Sequence, residues 1–470
     1  MLRALVLWCL AAKATGLSAG SLSVGIDLGT SRSCVAIVDA TGREPRVLAN
    51  ENGELTTASV LDVDGREVVS WKRAIGLSAA RARSRLSRDF ALQLRLDLSD
   101  ESAEAEVEMI TGLGGEGRLA PSDASTMLLR KLVADASARL GAPVGNAVIG
   151  VPAMFDESQR AATKKAAQAA GLDKVLLVPE PELAAHAYGV GRTSSDKDAL
   201  VLVFDLGGGT LDVSILQVGG RTRTMEIIST RGDACLGGLD FTQAVADLAL
   251  KKSALSASAA GKLDGADRAA LFTNAEAAKV SLSTADGATI RVPKADPPTV
   301  QVSRAELEIA VTPLLQRCER LVRECAILVD VSLRGDPSAD LRNAAQDKLR
   351  EKRLQKGKKV SLKGPGKGPG GKGPAQPAVP TIESVVLVGA ATKMPAVTEF
   401  LARLCGVSVE TPVDPEHAVA LGAATRAAMN DGLEDEFVVL SQWKAEILRA
   451  VAAAAQQKEA NASDRDVDDT

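Results

Sequence analysis

Two short turns carry the residues that could do chemistry. Asp27-Leu28-Gly29-Thr30-Ser31 and Asp205-Leu206-Gly207-Gly208-Gly209-Thr210 each close an apolar, strand-like run, and a second strand-like run follows each. Glycines admit positive φ and let backbone N–H groups come close to an anion. Thr30, Ser31 and Thr210 add hydroxyl donors. Asp27 and Asp205 would repel a phosphate directly. They make sense with a hydrated Mg²⁺ between, because Mg²⁺ keeps several waters and takes few carboxylates. Either turn alone matches an ordinary β-hairpin. The pair, with aspartates in register, points to a clamp for a nucleotide polyphosphate. GIDLGTSRSCVAIVD (Gly25 to Asp39) and FDLGGGTLDVSIL (Phe204 to Leu216) also read as a distant internal repeat, which predicts two similar lobes facing one another.

The elements that must position these turns alternate between strand-like and helix-like runs, the pattern of an α/β architecture. DESQRAATKKAAQAAG reads as a helix capped by Asp156 and stopped at Gly171. SRAELEIAVTPLLQRCERLVRECA reads as a helix opened by a capping box, Ser303 with Glu306. Cys318 and Cys325 lie seven apart on it and share a face, which predicts core positions. HAVALGAATRAAM reads as a small-residue helix that packs closely on a sheet.

Composition bounds the rest. The 470 residues are 46% hydrophobic and 25% charged, ordinary for a globular chain, and aromatics are only 2%, so Ala, Val, Leu and Ile must build the core. A net charge of −4 argues neither for nor against nucleic acid or membrane. Six scattered cysteines show no paired metal spacing. Two histidines argue against a histidine metal site or a Ser-His triad. Residues 1–20 resemble a secretory signal peptide, although Lys13 breaks the apolar run. Residues 345–380 form a basic Gly/Pro-rich insertion, expected to be a disordered surface segment that could tether an acidic partner. No segment reaches the ~20 apolar residues of a spanning helix.

Taken in order, GIDLGTSRSCVAIV, NAVIGVPAMFDESQRAATKKAAQAAGL, PEPELAAHAYG, VLVFDLGGGTLDVSIL, CLGGLDF and VVLVGAATKMP resemble the ATPase domain of the 70-kilodalton heat-shock chaperones, the DnaK type. The resemblance runs from about Leu22 to Asn430, the basic insertion excepted. It implies a two-lobed, actin-like or sugar-kinase-like α/β ATPase fold with a nucleotide cleft between the lobes. It implies ATP or ADP, Mg²⁺ and a potassium-type ion as cofactors, and co-chaperones or exchange factors as partners. By this resemblance Asp27, Glu180 and Asp205 surround Mg²⁺ through its water shell and position the attacking water. Gly29, Thr30 and Ser31 hold phosphates from one lobe, and Gly207, Gly208, Gly209 and Thr210 from the other. Asp212 supports the ion environment. Glu276, Lys279 and Ser283 contact the adenosine, Gly389 lies under the phosphate–ribose region, and Lys393 stands at the adenine turn. Pro152 and Arg160 match positions that couple nucleotide state to lobe movement.

The departures set further expectations. Matching ARSRLSRDF to the family places Arg83 where a catalytic lysine is expected, and a planar fork is not a lysine's point charge. Hydrolysis is then expected to be slow or degenerate. The adenine turn reads GAATK, with Ala390, Ala391 and Lys393, and Val280 and Leu239 replace a basic and an acidic residue. The expected organisation is a leader at 1–20, one lobe over 21–192, a second over 193–430 and a helical then disordered tail over 431–470. Forty tail residues leave no room for the family's peptide-binding domain, so the chain looks most like the truncated, microsome-associated kind of member. An endoplasmic-reticulum location is expected, a cytoplasmic one being the alternative. A weak ATP hydrolase of protein folding is the first reading. A nucleotide-binding adaptor without turnover is the second, and a small-molecule kinase of the same superfamily is the third.

Overall fold

The computed structural model describes residues 22–38, 44–63, 66–69, 71–75, 96–97, 106–110, 116–189, 198–219, 224–253, 263–333, 380–409, 411–430 and 438–439, with three single positions between 254 and 262. The leader-like residues 1–20, Arg83 and nearly all of the insertion and the tail lie outside the described residues.

The first half of the chain builds one mixed sheet. Its strands are β1 (Leu22–Asp27), β2 (Arg32–Val38), β3 (Pro45–Leu48) and β4 (Thr57–Ala58). Two small antiparallel sheets follow, β5 (Val60–Val63) with β6 (Arg66–Val69), and β7 (Leu96–Asp97) with β8 (Glu106–Ile110) and β9 (Glu116–Leu119). Then come α1 (Pro121–Leu140), β10 (Val144–Val151), α2 (Glu157–Ala169), β11 (Lys174–Pro179) and α3 (Glu180–Ala187). The main sheet runs β11-β10-β1-β2-β3, with β4 beside β2.

The second half repeats the plan. It contains β12 (Ala199–Leu206), β13 (Leu211–Gly219), β14 (Thr224–Asp233), α4 (Gly238–Lys252), α5 (Gly265–Ser281), the hairpin β15 (Gly287–Arg291) and β16 (Thr299–Ser303), α6 (Arg304–Ile327), β17 (Ser384–Val388), α7 (Pro395–Cys405), α8 (Ala418–Asn430) and β18 (Val438–Val439). Its sheet runs β17-β12-β13-β14-β18. β1 is parallel to β10 and antiparallel to β2, and β12 is parallel to β17 and antiparallel to β13. The internal repeat read from the two aspartate turns is therefore a repeat of sheet topology.

Side-chain alternation explains why these strands lie between layers. Leu202, Phe204 and Leu206 face one core with α4, α5, α6 and α7. Val201 and Val203, one residue out of step, face another. A strand buried on both faces reads as a continuous apolar run, which is what LVLVF is. The second core joins the two halves: Val148 and Val178 of the first sheet and Val201, Val203, Val386 and Val388 of the second meet around Leu183, Ala184, Val419, Ala423 and Ala427 of α3 and α8. The small-residue helix α8 packs on β1, β2 and α3, as its alanines predict. Because α8 follows β17 in sequence yet packs on the first sheet, the lobes are stitched together by it and by α3.

Local signals hold where expected. Asp156 caps α2: its carboxylate accepts from the Gln159 amide at 3.1 Å, and Gly171 past the helix end has φ of 102°. Replacing Asp156 with alanine should lower stability by about 1 kcal/mol, read as a lower midpoint of denaturant unfolding with an unchanged slope. Glu306 accepts from the Ser303 amide at 2.9 Å at the start of α6, and Cys318 and Cys325 are both fully buried on that helix.

Candidate active site

The two aspartate turns open toward one another across a cleft of about 840 Å³. Its walls include Asp27, Gly29, Thr30, Ser31, Glu180, Asp205, Gly207, Gly208, Thr210, Glu276, Lys279, Ser283, Gly389 and Lys393, so most of the residues singled out in the sequence converge there. Gly209 and Asp212 stand just behind this wall. Asp212 pairs with Asp205 across β12 and β13. Gly209 lies under the entry to α4, where a Cβ on Gly237 would come within 2.4 Å of it.

Of the two reasons expected for the glycines, positive φ does not apply to the triplet, Gly207, Gly208 and Gly209. What Gly208 provides is proximity: a Cβ there would sit 2.0 Å from Ser31 Oγ. The turn of one lobe thus abuts the turn of the other. Gly389 does need its conformation, with φ of 85° and a would-be Cβ 2.3 Å from the Leu206 carbonyl.

The turns also partition their donors. Gly29 N–H donates to Ser33 Oγ at 3.1 Å, and Gly207 N–H donates to the Thr210 carbonyl at 3.0 Å. The first amides of α4, Gly238 and Leu239, donate to the Gly207 and Gly208 carbonyls at 2.9 and 2.8 Å, which turns those carbonyls away from the cleft. Among the described residues, no protein acceptor sits on the N–H groups of Thr30, Ser31, Gly208, Gly209 or Thr210. Free amides beside a space that tolerates no Cβ suit an oxyanion.

Below the turns lie Asp27, Glu180, Asp205 and Asp212, and with them a residue that sequence reading passed over. Lys72, on the 3-10 turn Trp71–Ala74, is buried and places Nζ 2.7 Å from Glu180 Oε1. Burial alone would lower its pKa, but Glu180, Asp27 and Asp205 outweigh that and hold it above the usual lysine value. Lys72 lines the cleft, so a cation of lysine type is present at the carboxylates. Arg83, the residue matched to that role by sequence, lies outside the described residues. A signal for Lys72 did exist: a lone lysine beside a tryptophan in VVSWKRAIG, where an apolar run would bury it.

The carboxylates outnumber their cation, and their proton affinities show it. Loss of water, then the Glu180 charge, raise Asp27 to about 7, against the opposing pull of Lys72. The same causes raise Asp212 to about 7, and Asp205 is pushed well above the usual carboxylate range. Among the described residues no three His, Cys, Asp or Glu side chains are gathered closely enough to ligate one ion directly. The donor set therefore fits a divalent cation held through its own waters, which would relieve the surplus of negative charge.

A pH prediction follows from these shifts. Groups raised from 3.8 to about 7 give the folded chain more protons than the unfolded one between those values. Ligand-free stability should then be greatest at the acid end of that window and fall as pH rises through about 7. Mg²⁺ with nucleotide should bind the deprotonated set, release protons and oppose that fall. Thermal melts across neutrality, with and without Mg²⁺·ADP, would check it: the gap between the two curves should widen as pH rises.

The adenosine side differs from expectation in one respect. Lys279 donates to the Gly238 carbonyl at 3.0 Å and to Thr242 Oγ1 at 2.9 Å, and pairs with Glu276 Oε2 at 2.7 Å. A lysine has three N–H bonds. Two tie α5 to the start of α4 and the third goes to Glu276 on α5 itself, so in the ligand-free chain all three are taken up by protein partners. Leu239 and Val280 present exposed apolar surface beside it. Other lining residues unmarked by the sequence are Arg32, Thr56, Glu416 and His417.

Two repeated mixed sheets, joined by helices and enclosing a cleft above paired aspartates, define the two-lobed, actin-like and sugar-kinase-like class of ATPase folds. Within that class the chain belongs to the Hsp70 protein family, whose pattern it matches over residues 23–334 and 375–445. It is 34% identical over 429 residues to a protein named Chaperone protein DnaK from Deinococcus deserti, covering 87% of this chain and 60% of that one. Identity to the protein of the same name from Deinococcus radiodurans is 33% over 420 residues, with 87% and 60% covered. For that of the red alga Gracilaria tenuistipitata it is 31% over 433 residues, with 89% and 62% covered. The chain thus spans about three fifths of the length of these relatives.

Proposed function

We propose that the chain binds Mg²⁺·ATP in the cleft, hydrolyses it slowly, and serves as the nucleotide-binding domain of a chaperone acting in protein folding or quality control. One observation carries this: two glycine turns with unpartnered amides, one from each sheet, abut directly above four buried or half-buried carboxylates and one buried lysine. Thr30, Ser31, Gly208, Gly209 and Thr210 hold the phosphate oxygens through backbone and hydroxyl donors. Asp27, Glu180 and Asp205 would hold the water shell of Mg²⁺, and Asp212 beside Asp205 would support a potassium-type ion. Mg²⁺, when bound, neutralises charge on the terminal phosphates. Asp205, pushed well above the usual carboxylate range by burial and then by the charges of Glu180, Asp212 and Asp27, would orient the attacking water and accept its proton. Lys72 Nζ, held by Glu180, donates to the charge that develops on the transferred phosphoryl group. Leu239, Val280, Ala390 and Ala391 make an apolar wall for the base.

The presence of Lys72 favours hydrolysis over an adaptor without turnover, because the expected loss of the catalytic cation rested on Arg83. We place the chain in the secretory lumen on the strength of its leader-like N-terminus, with exchange factors as partners. Kinship with the truncated, microsome-associated kind of Hsp70 rests on the same segment and on SVETPVDPEHAV (Ser408 to Val419), which resembles that kind more than the standard chaperones.

Calorimetric titration with Mg²⁺·ATP and single-turnover cleavage of the bound nucleotide test the reading. Binding that is lost on chelating Mg²⁺, followed by cleavage, supports it. Binding with no cleavage gives the adaptor reading instead. No binding overturns both.

A further inference from the structure

The mouth of the cleft carries a second charge cluster that the phosphate and metal roles leave unused. Arg32 opens β2, in the first sheet, and its Nε donates to Thr56 Oγ1 at 2.7 Å. The same Nε lies 3.4 Å from Glu416 Oε1. The other oxygen of that carboxylate, Oε2, lies 3.2 Å from Lys393 Nζ, on the turn after β17 in the second sheet. Lys393 Nζ also sits 2.8 Å from Asp414 Oδ1, and Asp414 in turn accepts the Glu416 amide at 3.0 Å. One carboxylate is therefore shared between cations of the two lobes. Arg32, Lys393 and Glu416 all line the cleft.

The loop that carries Glu416 is itself at the junction. Gly389 N–H donates to the Pro415 carbonyl at 2.9 Å, which anchors the loop to the second lobe. Immediately after it, α8 starts and packs on β1 and β2 of the first. A side chain placed there sees any change in the spacing of the two sheets. Burial would lower Lys393, but its bonds and charges with Asp414 and Glu416 raise it above the usual lysine value. Asp414 is correspondingly held below the usual carboxylate value, burial being outweighed by Lys393 and the Glu416 amide.

We propose that Glu416 is a positioning residue, a clasp between Arg32 and Lys393 that sets how far the cleft opens. It rests on the nucleotide reading only for the identity of what the cleft admits. The partners are partly exposed, at 49% for Arg32, 24% for Glu416 and 42% for Lys393. Exposed pairs are individually weak and are screened by salt, so the clasp biases the opening rather than locking it. A polyphosphate entering between the turns also offers Arg32 and Lys393 a competing anion.

Hydrogen exchange on the full chain without nucleotide tests this independently of any ligand. In Glu416→Gln, amides 29–34 of the first lobe and 389–394 of the second should both exchange faster, by about twofold to fivefold. Raising salt should bring the wild type toward the variant. Arg32→Gln should give the same change at 29–34, and the double variant should add little to either single one. Unchanged exchange at 29–34 in Glu416→Gln overturns the clasp. So does a change confined to 389–394, since Glu416 would then merely anchor its own turn. Additive effects of the two substitutions overturn it as well. Absence of nucleotide binding would defeat the function proposed above and leave these exchange results standing.

Discussion

Lys72→Gln should abolish most cleavage of bound ATP while leaving the nucleotide bound. The lysine is buried, carries its charge at every pH of interest, and is held by Glu180 at 2.7 Å among carboxylates on both lobes. Donors fixed in advance at the place where charge develops are worth about 100-fold to 1000-fold in rate. Single-turnover cleavage should fall by that order, whereas affinity for Mg²⁺·ATP should change far less, because the turn amides still hold the phosphates. Removing one partner of a buried ion pair also costs stability, so the melting temperature of the variant must be measured beside its rate. Lys72→Arg gives a second reading: it keeps the charge and the fold but exchanges a point donor for a planar fork, so its rate should also drop. Arg83→Lys should leave the rate unchanged. If Arg83→Lys speeds cleavage and Lys72→Gln does not slow it, the roles are reversed and the match made from sequence was the right one.

That contrast shows what the chain discloses before folding. The aspartates, the glycines and the hydroxyls are contiguous, and contiguity makes them legible: Asp27 to Ser31 and Asp205 to Thr210 announce a turn, an anion and a cation together. The strands around them are legible for the same reason, since LVLVF buries both faces and alternates between two cores. Lys72 has only a weak local signal, its place beside Trp71. It reaches Glu180 over a separation of 108 residues, and only the packing of Trp71 under α1 makes the contact. The charges of Arg32, Glu416 and Lys393 are hidden in the same way, because a shared carboxylate is a fact of three separate stretches rather than of one. Lys279 is a different case. Its position beside the ligand was readable, but its three donors were already taken by α4 and Glu276, which no spacing reveals. Even the glycine triplet was readable in kind and not fully in cause, since none of the three has a positive φ and Gly208 owes its identity to the turn across the cleft.

Gly208→Ala turns that last point into a measurement. Its Cβ would lie 2.0 Å from Ser31 Oγ and 2.8 Å from Ser31 Cβ. Rotating the serine relieves the first contact but not the second, so the two turns must move apart. A displacement of about 1 Å in a site of this kind costs on the order of 100-fold. Affinity for Mg²⁺·ATP should fall, and cleavage of the nucleotide that still binds should fall by that order, with the melting temperature of the ligand-free chain nearly unchanged, because the clash is at a cleft wall and not in either core. Ser31→Gly on the same background removes both clashing atoms. It should recover much of the affinity, though not all, since a hydroxyl donor goes with them. Two outcomes would oppose this. Normal affinity in Gly208→Ala would mean that the turns do not need to abut for the phosphates to bind. A loss that Ser31→Gly fails to relieve would mean that the glycine is needed for the conformation of its own turn, and that the contact between the lobes is incidental.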